Sequence, residues 1–183
     1  MIILPTTYLG PVEWYRQFMA HPSEMAIEVM ESFPKQTYRN RCTITTPDGP
    51  LTLSVPVKRA DSKQLTKDVE ISYQQKWQHQ HWIALVSAYK RTPYFDYYAD
   101  FFRPFYEKET KFLVDLNEGV HGVITQLIMN SEFKIQNSKF TSDWSGLNLE
   151  HCFGNGQSIL DMLFEYGPET AIIIHNSKFK IND

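Results

Sequence analysis

The sequence has little cysteine: Cys42 and Cys152 are its two thiols, and their spacing fits neither a metal site nor a redox pair. Two thiols allow a single disulfide, which nothing in the pattern supports, and the expectation is reduced thiols in a reducing compartment. Long apolar runs are missing, with none near the ~20 residues that cross a bilayer. The opening Met1-Ile2-Ile3-Leu4-Pro5 lacks the basic leader and the h-region of a signal peptide. A cytoplasmic protein without membrane insertion is therefore expected. Positive charge is not in excess either. Eighteen Lys and Arg against 21 Asp and Glu give a formal net charge of −3, which argues against a nucleic-acid partner held by bulk charge. Gly154-x-Gly156 lacks the strand–helix context of a phosphate loop, no serine sits in a nucleophile elbow, and no acidic pair stands out. The sequence assigns no cofactor and no oligomeric state.

Aromatics, by contrast, are plentiful at 14% of 183 residues. A chain of this length builds one hydrophobic core without staples, and rings supply either that core or a lined pocket. The pattern predicts an α/β fold, or its mixed α+β variant, in one compact domain over residues 1–183. Its N-terminal third is rich in strands and includes a hairpin, and its middle is helical. A short strand over 1–8 turns at Gly10-Pro11 into a helix, with Pro11 at the first helical position and Val12, Tyr15, Phe18 and Met19 at helical spacing. That helix ends at His21-Pro22-Ser23. A weak strand follows over 26–30, then the clearest one over 38–46, a turn at Pro47-Asp48-Gly49-Pro50, and a partner strand over 51–57. A polar link over 58–67 leads to a short strand at 69–71. Helices are expected at about 75–90, 94–105 and 111–129, and residues 134–157 read as polar and irregular. A last helix over 158–166 opens with Ser158 and Asp161 spaced as a capping box and closes at Gly167-Pro168. Residues 171–174 read as a terminal strand.

Alternation along an extended 37–45 segment puts Thr37, Arg39, Arg41, Thr43 and Thr45 on one face, and Tyr38, Asn40, Cys42 and Ile44 on the other. Arg39 and Arg41 would then stand roughly 7 Å apart, a spacing at which two guanidinium forks grip a diphosphate or two carboxylates. Lys35 and Lys58 would add to that charge. The solvated face of an edge hairpin explains the same pattern. Asn40 and Cys42 fall on the apolar side, so Asn40 needs buried partners and Cys42 is expected to be buried and unpaired. His79-x-His81 would share a face on a strand, but on a helix the two rings point apart and cannot hold one ion. His81 shares a helical stripe with Trp77, Leu85, Ala88 and Tyr89. Burial there favours the neutral imidazole, which suits a general base and equally a core histidine. Tyr89, Lys90 and Tyr94 flank a helix end, where the cation complements the helix dipole or helps form an anion rim. Asn117 interrupts the stripe Leu113, Val120, Ile124, Ile128, either to orient a ligand or to hold a backbone carbonyl.

Taken in order, these residues resemble the WbqC-like family. The resemblance rests on Pro5-x-x-Tyr8-x-Gly10-Pro11 with Trp14-Tyr15, on Lys35-x-x-Tyr38-Arg39-Asn40-Arg41, and on Leu53-x-Val55-Pro56-Val57. It continues through Trp77-x-x-x-His81-Trp82, Ala88-Tyr89-Lys90-Arg91-x-Pro93-Tyr94-Phe95, Tyr97-Tyr98, Leu116-Asn117 and Ser158-Ile159-Leu160-Asp161-x-Leu163-Phe164-x-x-Gly167. The segment from about Phe133 to Cys152 is shorter than in many relatives, so nothing is carried over to it. The resemblance implies a bacterial protein of O-antigen-type polysaccharide assembly. The expected ligand is a small anionic or nucleotide-linked sugar precursor. Arg39, Arg41 and Lys90 would hold it, His81 would move a proton, and Tyr8, Asn40 and Asn117 would orient groups. The alternative is a non-catalytic binding or assembly protein that offers a basic strand face to a partner.

Overall fold

The computed structural model describes residues 2–20, 25–58, 63–129 and 156–176. Strand β1 (Ile2–Pro5) leads through helix α1 (Val12–Ala20) to β2 (Met25–Glu28), which pairs parallel to β1 in the register Ile3↔Ala26. Between β1 and α1 the chain from Thr6 to Gly10 is fully buried. Leu9 takes the left-handed conformation there (φ 46°). A Cβ on Gly10 would stand 2.5 Å from the Thr7 side chain, so only glycine lets the chain close this tightly. In a β–α–β unit this loop lies at the carboxyl end of the first strand, where open α/β sheets bind ligands.

The hairpin β3 (Arg41–Thr46) and β4 (Gly49–Ser54) turns through Pro47 and Asp48. Gly49, at φ 112°, closes it opposite Thr46. Alternation buries Cys42 and Ile44. Cys42 is a free thiol, as expected, and burial pushes its pKa up, with the Asp161 carboxylate adding to the shift. Cys152 lies outside the described residues. The folded protein should therefore leave Cys42 unmodified by a thiol reagent that labels it fully in denaturant, as mass spectrometry would show.

The strand expected from residue 38 begins three residues later. Residues 38–40 form a turn in which Asn40 N donates to Thr37 O (3.2 Å), and Thr37 Oγ1 donates to Pro34 O (3.1 Å). Gln36 is left-handed at φ 62°. A threonine that bonds nearby backbone offers the chain an alternative to the ladder, and here that outweighs the β-propensity of Tyr38. Beyond Ser54 the ladder also stops. Val57 forms a single bridge with Ile71, and Glu70 another with Phe112, in place of the short strand expected at 69–71.

The helical middle agrees with the sequence periodicity: α2 (Trp77–Tyr89), α3 (Phe95–Glu107) and α4 (Leu113–Met129). Ser158 caps α5 (Ile159–Tyr166) by accepting from Leu160 N (3.2 Å). The 171–174 run is not a strand. It lies inside helix α6 (Thr170–Asn176), buried at Ala171, Ile172, Ile173 and Ile174 alike. A short apolar run buried on all sides carries no period by which a strand can be told from a helix. The irregular segment expected at 134–157 lies outside the described residues except for its last two. The fold is a mixed α/β arrangement of two small sheets and a helical layer around one apolar core.

Candidate functional site

Helical spacing on α2 buries Trp77, His81, Leu85 and Tyr89 and leaves His79 exposed. His81 is 5% exposed and meets two tyrosines that come from far along the chain. Tyr8 Oη lies 2.9 Å from His81 Nδ1 and 3.0 Å from Tyr106 Oη. The Ser54 backbone raises the imidazole pKa slightly, against the larger effect of burial. Tyr106, Tyr8 and His81 thus form one buried hydrogen-bonded chain, in which each hydroxyl can donate or accept and the histidine tautomer sets the direction. Burial dominates the charge state: the histidine pKa falls to about 4, and both tyrosines are pushed up, Tyr8 well above its usual value.

The turn 37–41 gathers the other predicted residues. Tyr8 N donates to Tyr38 O (2.9 Å), and Asn117 Nδ2 to Arg39 O (2.8 Å) and Thr6 Oγ1 (3.2 Å). Asn40 Nδ2 donates to Val55 O (3.1 Å), while Arg41 pairs in the ladder with Ser54, the residue whose backbone His81 holds. Tyr8, Asn40, Arg41, His81 and Asn117 are thus brought to one region, although they lie up to 109 positions apart in the chain.

The two arginines do not form a pair of free forks. Alternation cannot align them, because Arg39 belongs to the turn and only Arg41 to the strand. Arg39 is engaged by Glu31, with Nε 2.6 Å from Oε1. Arg41 Nε, in contrast, is buried without a partner, as are Asn40 Oδ1, Asn117 Oδ1, Trp77 Nε1 and Gln157 Oε1. Each such atom costs on the order of 1–3 kcal/mol when left unpaired, and native proteins leave few of them unexplained. Three of the five gather at the turn: Asn40 lies in it, Arg41 is the first strand residue after it, and Asn117 is bonded to the Arg39 carbonyl.

Tyr89, Lys90 and Tyr94 lie elsewhere. Tyr89 Oη donates to Asp161 Oδ1 (2.5 Å), and its ring meets Phe164. Lys90 is exposed at the C-cap of α2. Tyr94 stacks on Tyr98 and fills the space beside Gly167, where a Cβ would stand 2.4 Å from its ring. Asp161 was legible as a capping residue, but its carboxylate serves Thr45 and Tyr89 instead. Nothing in the local pattern signals a partner 116 positions away. Tyr106 also escaped notice, since its spacing from Phe102 reads simply as core.

The concavities lined by described residues include one of about 560 Å³ and one of about 440 Å³. The first, between Lys58 and Lys111, has its cations drawn to Glu70 (2.6 and 3.8 Å). The second opens beside the β1–α1 loop, with Pro11, Trp14, Tyr38 and Gln157 in its walls. Among the described residues no group of His, Cys, Asp and Glu is arranged to hold a metal, and no helix is long and apolar enough to cross a membrane.

Residues 7–145, most of the chain, match the WbqC-like protein family. The chain belongs to this family. No curated protein and no solved structure matches it. The WbqC-like region takes in the buried β1–α1 loop from Thr7 onward, the 37–41 turn, His81, Tyr106 and Asn117. The residues that converge in space therefore all lie inside the family match.

Proposed function

We propose that this WbqC-like protein is an enzyme that modifies a small anionic or nucleotide-linked sugar precursor in surface-polysaccharide assembly. The ligand sits against the 37–41 turn at the carboxyl end of β1. The observation that carries this reading is the set of unpartnered buried atoms there: Asn40 Oδ1, Asn117 Oδ1 and Arg41 Nε. Two amide oxygens call for hydroxyl or N–H donors, and a guanidinium calls for an anionic acceptor. A hydroxylated phosphate or carboxylate supplies both kinds of partner. His81 moves a proton by way of Tyr8, whose hydroxyl it holds. Burial lowers the imidazole pKa to about 4, so the ring is unprotonated at neutral pH and acts as a weak base that takes the proton only transiently. The alternative, a basic strand face presented to a partner, has less to stand on, because Arg39 turns to Glu31 and Arg41 is half-buried.

Calorimetry and thermal shift against a panel of nucleotide sugars and sugar phosphates test the reading. Arg41→Ala should weaken the best binder about ten- to a hundredfold, the usual worth of a charge-assisted hydrogen bond. Arg39→Ala should instead lower stability, since it strands Glu31. With a turnover assay in hand, Tyr8→Phe should reduce kcat more than it weakens binding, because the ring stays and only the hydroxyl leaves. A panel in which no compound shifts the melting temperature, or an Arg41→Ala variant that binds as wild type, overturns the proposal.

A further inference from the structure

The 440 Å³ cleft beside the β1–α1 loop differs in character from the turn it adjoins. Its apolar wall is Pro11, Val12 and Trp14, held by the start of α1. Trp14 is fixed in place because its Nε1 donates to Pro5 O (2.9 Å). Opposite stand Tyr38, 47% exposed, and Gln157. Gln157 O accepts from Val12 N (3.2 Å), which pins the residue to the helix start. Its side-chain Oε1 is buried and has no partner. Among the described lining residues the only charge is the Glu13 carboxylate, which Arg16 already holds. Gly156 completes the arrangement: at φ 69° a Cβ there would stand 1.9 Å from Tyr38 Oη, so only glycine allows the phenol this close.

We infer that this cleft is a second subsite, which takes an uncharged flat ring bearing N–H donors, with a nucleobase as the chemical class. The size falls within the range of small-molecule sites. Apolar walls with an exposed phenol suit the face of a ring. The orphaned amide oxygen needs a donor, and the described lining offers no free cation to an anion, so an uncharged amino-bearing ring suits it. The inference rests in part on the reading above. Tyr38 joins the two sites, since its ring lines the cleft while its carbonyl accepts from Tyr8 N (2.9 Å). A nucleotide-linked sugar would then place its base in the cleft and its anionic, hydroxylated part at the turn.

The test uses free nucleosides, which carry no phosphate: adenosine, guanosine, cytidine and uridine, titrated by calorimetry or NMR into the full chain. At least one should bind, and Gln157→Leu should weaken it about tenfold, as loss of one buried hydrogen bond does. Gln157→Leu also removes an unpaired buried polar atom, so its melting temperature should equal or exceed that of wild type. Tyr38→Ala should weaken the same nucleoside, and Arg41→Ala should leave it unchanged. Nucleosides that do not bind at millimolar concentration, or that bind Gln157→Leu as tightly as wild type, overturn the inference. If a sugar phosphate still binds in an Arg41-dependent way, the reading of the turn survives that failure. If nucleosides bind through Gln157 but the sugar and phosphate add nothing, the cleft stands and the reading of the turn falls.

Discussion

Asp161→Ala should lower the melting temperature by about 8–16 °C, the largest effect expected of any single change near the site. Asp161 is 5% exposed, and the donors to its carboxylate include Thr45 N (3.1 Å), Thr45 Oγ1 (2.9 Å) and Tyr89 Oη (2.5 Å). It thereby ties α5 to β3 and to the end of α2. Alanine leaves those donors buried and unpaired at roughly 1–3 kcal/mol each. Neighbouring losses are not additive, so about 4 kcal/mol is a fair sum, and at this chain length each kcal/mol moves the transition by about 2–4 °C. Tyr89→Phe strands one acceptor position and should cost about a quarter as much. Thermal denaturation followed by circular dichroism decides the matter. A shift below ~2 °C for Asp161→Ala would show that water replaces the carboxylate freely and that the network is not a structural pin.

Acid should destabilise the protein well before its carboxylates titrate. His81 is enclosed by the rings of Trp77, Tyr8 and Tyr106, and His121 by those of Trp14, Tyr15 and Phe18. Burial lowers both pKa values from 6.5 to about 4. Between those values the unfolded chain binds a proton at each histidine and the folded chain does not. Stability is therefore fully present above pH 6.5 and is lost as pH falls toward 4. For His81 the full loss is on the order of 3 kcal/mol; half-buried His121 adds less. Glu70, held below its ordinary 4.5 chiefly by the hydrogen bond from Lys58, acts only at lower pH. Urea midpoints at pH 7.5, 6 and 5 should fall in sequence, and His121→Phe, which keeps the ring in its aromatic box, should make that fall shallower. A midpoint constant from pH 7.5 to 5 would mean that both imidazoles charge freely in the folded state.

Periodicity alone determined much of this protein. The four longest described helices, the 41–54 hairpin, the burial of Cys42 and the opposite facing of His79 and His81 all follow from local spacing, because a helix or a hairpin is decided by residues within a few positions of one another. The ordered series from Pro5 to Gly167 likewise carried the family resemblance without any coordinates. What only the tertiary structure decided depends on contacts between distant residues or on turns that override propensity. Thr37 and a left-handed Gln36 turn the chain before β3 starts, which removes Arg39 from the strand and gives it to Glu31. The 171–174 run folds as a helix, and because it is buried on every side its sequence has no period from which that could be read. The Tyr106–Tyr8–His81 chain and the Asp161 network span 72 to 116 positions. No local pattern encodes such pairings, since each side chain's partner is chosen by how the helical layer closes over the β1–α1 loop.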